Sequence, residues 1–409
     1  MKLKNNTSVL KFFLVLLILS GCADPSLDGE YITNDCDAIF ELDTTRGDVI
    51  LTSQEEINNW SQDVDQIKGS LYIGKCFVDD STSNGIVNLN TLSTIKKVEG
   101  DVIFISNPLT SLEGLENLEH IGGDLILNSN GSLKSLRGLQ NLKQIDGTLK
   151  LSGMYQLENI DDLSSVKTLG GGLDFWLNPK LKSVNGLINV NSFGGYISIV
   201  FNESLTDLKG LKNTGLFTLN YLKLENNPEL TTLDGLEGLK NINSDVEGGI
   251  TEQGSLLISS NPKLEEVNAL SNLISVQKDV DIRKNDILKD IEGCSSITEV
   301  GARLWVLENP ALATIDGLRN VAKVSGSFTI YDNDVITDLE GLHSLLQVDS
   351  FLIVSNNDNL TNLCGLANLI QSENGLNIGL AANDIPFFEI KENSFNPTRE
   401  NLENNICSE

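Results

Sequence analysis

The chain is short of the side chains that catalysis and metal binding most often use: it holds two histidines, six cysteines and two methionines in 409 residues. So little histidine and cysteine leaves scant material for a zinc centre or a nucleophile–base pair. Cations are scarce as well, with 29 Lys and Arg against 57 Asp and Glu for a net charge of −28. No basic stripe is available for phosphate, which argues against nucleic acid as a partner, and charge-driven docking on anionic lipid headgroups is disfavoured in the same way. Long apolar runs are missing. The run Phe12 to Leu19 is far below the roughly 20 residues a spanning helix needs. What remains is a folded-protein composition, 40% hydrophobic and 21% charged, long enough for a large core or for two or three compact domains.

The apolar run follows Lys2, Lys4 and Lys11 and ends in Leu19-Ser20-Gly21-Cys22. This resembles a bacterial lipobox, which implies a signal peptide over 1–21, cleavage before Cys22 and a diacylglycerol on its sulfur, so that the membrane is a partner through lipid. Several acyl chains anchor stably where one is marginal. In enteric lipoproteins an aspartate after the cysteine favours the inner membrane. Ala23 therefore points to an outer-membrane lipoprotein of the cell envelope, with surface exposure left open. Residues 22–33 are expected to form a tether.

From Leu109 the pattern LTSLEGLENLEHIGGDLILNSNGS recurs every 24 residues, with coils opening at Leu109, Leu133, Leu157, Leu181, Leu205, Leu230, Leu264, Leu288, Leu312, Ile336 and Leu360. A degenerate coil precedes them at Ile86. Numbered from the opening residue, position 7 is leucine except at Cys294, and position 6 is glycine except at Asp162 and Ala269. Positions 17 and 19 are apolar with variable residues between them, as in Leu125-Ile126-Leu127, the period-2 signature of a strand. Three residues past position 19 stands an asparagine: Asn107, Asn130, Asn178, Asn202, Asn227, Asn261, Asn285, Asn309, Asn333 and Asn357, with Met154 as the break. Stacked, these make a buried ladder that satisfies the backbone of the bend. Apolar positions 7, 10 and 13 suggest 3₁₀ turns or a second brief strand. A 24-residue unit is too short for a strand and a long helix, so a β-rich solenoid of about 12 turns with little helix is expected.

The run L-x-L-x-x-N-x-x-L-x-x-L is the leucine-rich-repeat signature, and the full unit with its G-L steps resembles the receptor L domain over residues 45–375. That family includes ligand-binding lobes of growth-factor-receptor ectodomains and bacterial surface lipoproteins. The resemblance implies a right-handed coil over 86–375, an N-terminal cap over 34–85 and a C-terminal cap over 376–409, such as solenoid ends need. It names no ligand. An exported compartment permits disulfides. Cys36 and Cys76 flank the first cap and Cys364 and Cys407 the last, giving the expected pairings Cys36–Cys76 and Cys364–Cys407. Cys294 is expected as an inert core thiol.

No cofactor or metal site is expected. His120 and His343 lack ligand-spaced partners. Gly170-Gly171-Gly172 lacks the G-K-[ST] ending of a phosphate loop, and Asp332, Asp334 and Asp338 lack the glycine of a calcium turn. Strand alternation should turn positions 16, 18 and 20 outward. Those slots yield two groups from consecutive coils, Asp174, Trp176, Tyr196, Tyr221 and Lys223, then Asp281, Arg283, Arg303, Trp305 and Tyr331. Aromatic and arginine side chains anchor interfaces, and aromatic faces also stack on sugars. The expected function is non-enzymatic binding of an extracellular protein or glycan through this face. A structural envelope spacer and a polysaccharide-acting hydrolase are the alternatives. Two polar insertions, Val78 to Gly85 and Ser244 to Gly254, offer further recognition loops.

Overall fold

A computed structural model describes residues 43–61, 63–75, 85–244, 252–373, 375–376 and 388–409, all within one compact unit, Asp43–Glu409. The signal peptide, Cys22, the tether, Cys36 and Cys76, and most of both insertions lie outside the described residues.

Each coil makes a strand from its alternating apolar positions and lays it parallel beside the strand one coil earlier. Fourteen such strands among the described residues form one parallel sheet, from Val49–Leu51 and Leu71–Gly74 to Leu352–Ser355 and Phe388–Lys391. The register is unbroken: Leu173 pairs with Leu149 and Ile197, and Phe175 with Leu151 and Ile199. The three-residue spacing of positions 7, 10 and 13 resolves into both expected forms. Among the described residues nine coils carry a 3₁₀ turn over positions 5 to 7, as at Asp316–Leu318, and positions 12 and 13 form short strands such as Gln144–Ile145 and Lys323–Val324. These short strands assemble into two six-stranded sheets on the other side of the coil. Leu133, Leu136, Leu139, Leu142 and Ile145 of one coil are wholly buried, each contributing about 1.5–3 kcal/mol of apolar burial. Cys294 occupies a leucine slot in this core, and burial pushes its thiol up to about 12. The architecture is a parallel β-solenoid of about 12 turns, with α-helix in only three five-residue pieces among the described residues, Gln54–Asn58, Ala367–Gln371 and Arg399–Glu403.

The asparagines form a continuous buried stack. Asn285 Nδ2 donates to Ile258 O of the coil below at 3.2 Å and to Arg283 O at 3.0 Å. Its Oδ1 accepts from Asn261 N at 3.2 Å, and its own N–H reaches Asn309 Oδ1 at 3.2 Å. Every polar atom of the amide is thus used, which a buried amide requires. Aiming it takes a backbone device that the sequence does not announce. The residue before each ladder asparagine is left-handed, including Leu177, Phe201, Lys284 and Glu308 at φ between 52° and 59°, although such conformations disfavour residues with a Cβ. At the break, Met154 is buried and its N–H still reaches Asn178 Oδ1 at 3.2 Å. Within the expected C-terminal cap the pattern continues by one coil: Phe388–Lys391 pairs with Leu352–Ser355, and Asn393 Oδ1 accepts from Asn357 N at 3.1 Å. Cys364 and Cys407 are joined as a disulfide that ties the last coil to the chain end.

Position 6 follows the stacking of turns. A Cβ on Gly317 would lie 1.8 Å from Ile291 O of the coil beneath, and Gly293 meets Val267 O in the same way. The 3₁₀ turns that carry a side chain at this position are Asn90–Leu92, Asp161–Leu163 and Asn268–Leu270, with Thr91, Asp162 and Ala269 at their centres. Asp161–Leu163 and Asn268–Leu270 each open a run of 3₁₀ coils, and Asn90–Leu92 stands alone below two plain turns. The coils beneath Asp162 and Ala269 have instead plain turns, with Gly138 and Gly235 at φ 120° and 113°. A side chain fits where a 3₁₀ turn sits on a plain one, whereas glycine is needed where 3₁₀ turns stack and also where a plain turn sits on a 3₁₀ turn, as at Gly235, whose Cβ would lie 2.0 Å from Leu208 O.

Candidate binding face

The outward side of the long sheet stacks equivalent slots at one strand spacing, about 4.8 Å. Along its middle row the register aligns Lys150, Asp174, Ser198, Lys223, Leu257, Asp281, Trp305, Thr329 and Ile353. The two expected groups are therefore neighbours, separated only by the strand Leu256–Ser259, and they form a single stripe across seven strands.

In the first group the Tyr196 and Tyr221 rings stack with centroids 4.7 Å apart and planes 11° from parallel. Tyr196 hydrogen-bonds to Asp174 and Thr148, and burial, with the Asp174 charge beside it, holds its phenol well above the usual range. Lys223 Nζ lies 3.4 Å from Glu225 and 3.2 Å from Glu252. Glu252 is at the end of the second insertion, so that loop returns to the chain directly on the stripe. Trp176 is half-buried, and its indole N–H has no protein partner.

In the second group Arg303 makes a two-pronged pair with Asp279, Nη2 to Oδ2 at 2.7 Å and Nε to Oδ1 at 3.1 Å. Its guanidinium carbon sits 4.5 Å above the Trp305 ring, a cation–π arrangement. Trp305 Nε1 donates to Ser327 Oγ at 3.2 Å. Arg283 Nε stands 3.5 Å from Asp281 Oδ2. Burial pushes the Asp281 carboxyl up to about 6 against the pull of Arg283 and Arg303, with Asp279 and Glu225 adding to the rise. Tyr331, on the outer row, is partly exposed.

Three residues expected to be open outward slots are not open. Tyr221, Lys223 and Asp281 are only 5%, 7% and 8% exposed. In a stack this close, a middle-row side chain is flanked by its equivalents above and below and by long neighbours in the outer rows, which close over it. Trp305 is likewise not a bare platform, because Arg303 already covers one face.

A further pattern went unseen in the sequence. Before the first group, position 16 carries a polar chain in which each side chain accepts the next coil's N–H: Asp101 Oδ1 from Asp124 at 2.7 Å and Asp124 Oδ1 from Thr148 at 2.7 Å. It stops at Gly172, where Tyr196 and Tyr221 take the slot, and resumes as Ser255 Oγ accepts from Asp279 N at 3.4 Å and Asp279 Oδ1 from Arg303 N at 2.9 Å. The tyrosine pair thus stands where a structural role has been given up. A second asparagine ladder runs along the turns, with Asn320 Nδ2 donating to Ser295 O at 2.8 Å and Asn189 Nδ2 to Ser164 O at 2.8 Å. Its N-L step at positions 9 and 10 is visible in the repeat.

Fold and face together define a leucine-rich-repeat-like parallel β-solenoid. The chain matches no protein-family model and no curated protein. Among solved structures it is similar to an internalin from Listeria monocytogenes at 13% identity and a TM-score of 0.33, over 87% of this chain and 96% of that one. A likeness of that size decides neither fold nor function, and the class rests on the strands and ladders above. Among the described residues no group of three or more His, Cys, Asp or Glu could hold a metal ion, and no helix is long and apolar enough to cross a membrane.

Proposed function

We propose that this chain is a non-enzymatic, lipid-anchored envelope protein that binds an extracellular protein or glycan through the outward face of its long sheet. The observation that carries the reading is the stripe itself. Seven consecutive strands bring Trp176, Tyr196, Tyr221, Arg283, Arg303, Trp305 and Tyr331 onto one face, and the structural polar chain is interrupted where the tyrosines stand. The anchor is Cys22, at the outer membrane, and Cys36–Cys76 is the proposed staple of the first cap. A spacer role is the second reading, favoured by the Tyr196–Tyr221 and Arg303–Trp305 stacks, in which aromatic faces are satisfied by neighbours.

A combined glycan and protein array tests binding, followed by Trp176→Ala and Trp305→Ala made separately. Loss of array binding in either folded variant supports the face, and wild-type binding in both removes it. For the anchor, Cys22→Ser should shift the protein to the soluble fraction or leave an unprocessed precursor. Correct processing with unchanged membrane partitioning would refute lipidation.

A further inference from the structure

Buried polar atoms without a protein partner are few among the described residues: Trp60 Nε1, Trp176 Nε1, Gln253 Oε1, Asp281 Oδ1 and Thr329 Oγ1. Trp176, Asp281 and Thr329 belong to the outward stripe, and Gln253 follows Glu252 at the end of the insertion that meets it. The inward amides of the same coils are fully paired. Leaving a buried polar group unpaired is unfavourable, and a fold that satisfies its inner amides coil after coil has left three of these five on the outward stripe. Such exceptions in a native structure call for a use.

We infer that the row Asp281–Trp305–Thr329 is the subsite for a neutral, hydroxyl-bearing ring, one residue of a glycan; this rests on the face being a binding surface. Asp281 and Thr329 flank Trp305 on adjacent strands, two strand spacings or about 10 Å apart along the row, a span that one sugar ring with its hydroxyls bridges. Asp281 Oδ1 can only accept while ionised, and the Thr329 hydroxyl both accepts and donates, the complement of two hydroxyls on opposite edges of one ring. The charges nearby select against ions of either sign. A cation would meet Arg283 and Arg303, and an anion would meet Asp279, Asp281 and Glu225, the groups whose charges act on Asp281. Trp305 has its N–H on Ser327 and one face under Arg303, so it serves as an apolar wall and not as a donor. Asp281 Oδ1 and Thr329 Oγ1 are closed to water, so a ligand reaches them only after a covering side chain of the face turns aside.

The test titrates the full chain with neutral gluco-, manno-, galacto- and N-acetylglucosamine oligosaccharides, with a polyuronate and a basic peptide as charged arms, by calorimetry and tryptophan fluorescence. One neutral series should bind. Thr329→Val, which removes a buried hydroxyl that has no partner, should keep or raise the melting temperature while weakening that sugar about tenfold. Asp281→Asn should weaken it by a similar factor. A structural role for Thr329 would show the opposite, a lower melting temperature with unchanged affinity. The inference is overturned if no neutral oligosaccharide binds, or if both variants bind as wild type does. Binding of a protein or charged glycan that is lost in Trp176→Ala but indifferent to Asp281→Asn and Thr329→Val removes the subsite and leaves the face standing. No array binding through the face removes both.

Discussion

On the inner side of the long sheet, one coil is nearly interchangeable with the next: apolar residues at positions 17 and 19, a left-handed residue, an asparagine with every polar atom paired. On the outer side of the same strands, the middle row runs Lys150, Asp174, Ser198, Lys223, Leu257, Asp281, Trp305 and Thr329, and unpaired polar atoms occur there. Both sides share one backbone and one 24-residue period. The difference shows that the inner contacts recur in nearly every coil while the outward chain through Asp101, Asp124 and Asp279 is interrupted, which leaves the outer side free to depart from the pattern wherever something other than folding sets its residues.

The sharpest break in that comparison should come from the close inner contact at position 6. Gly317→Ala drives a Cβ into Ile291 O and should cost about 3 kcal/mol or more in urea unfolding. Ala269→Gly, at the same repeat position but above a plain turn, should stay within about 1 kcal/mol. Equal effects would disprove the stacking rule for position 6. Next in size, Asn285→Ala leaves Ile258 O, Arg283 O and Asn261 N without their side-chain partner and should cost about 2–3 kcal/mol. Asn320→Ala, on the exposed turn ladder, should cost under about 1 kcal/mol by the same measurement.

The outer side should respond with the reverse sign. A carboxyl whose folded pKa is raised binds its proton more tightly in the native state, so native stability falls as pH rises from the unfolded value near 4 to about 6. Asp281→Asn should therefore stabilise the fold by about 1–3 kcal/mol at pH 7, and the gain should vanish near pH 4. A flat difference between pH 4 and pH 7 would show that Asp281 is not held in this way. The smallest effect belongs to the left-handed position. Lys284→Gly relieves the backbone but adds unfolded-state freedom, and should stay within about 0.5 kcal/mol.

Much of this molecule was legible in the residues. The coil openings, the leucine slots and the asparagine ladder were read from spacing, because each meets a demand that recurs identically in every coil: a core face to fill and a bend to satisfy. The outward slots were read from the same alternation. That the two groups make one stripe was not, because the strand between them, Leu256–Ser259, follows an insertion that hides the register.

What the sequence determined by itself was the period and the chemistry of the inner side. Tertiary structure alone decided what depends on the coil next door. It sets which coils take a 3₁₀ turn and so where glycine is needed. It also places left-handed φ angles at Leu177, Phe201 and Lys284, which carry no glycine to mark them, and it closes the middle row over Lys223 and Asp281. These features are contacts between residues a full coil apart, and their outcome is fixed by the size, charge and backbone turn of whichever neighbour is stacked above or below.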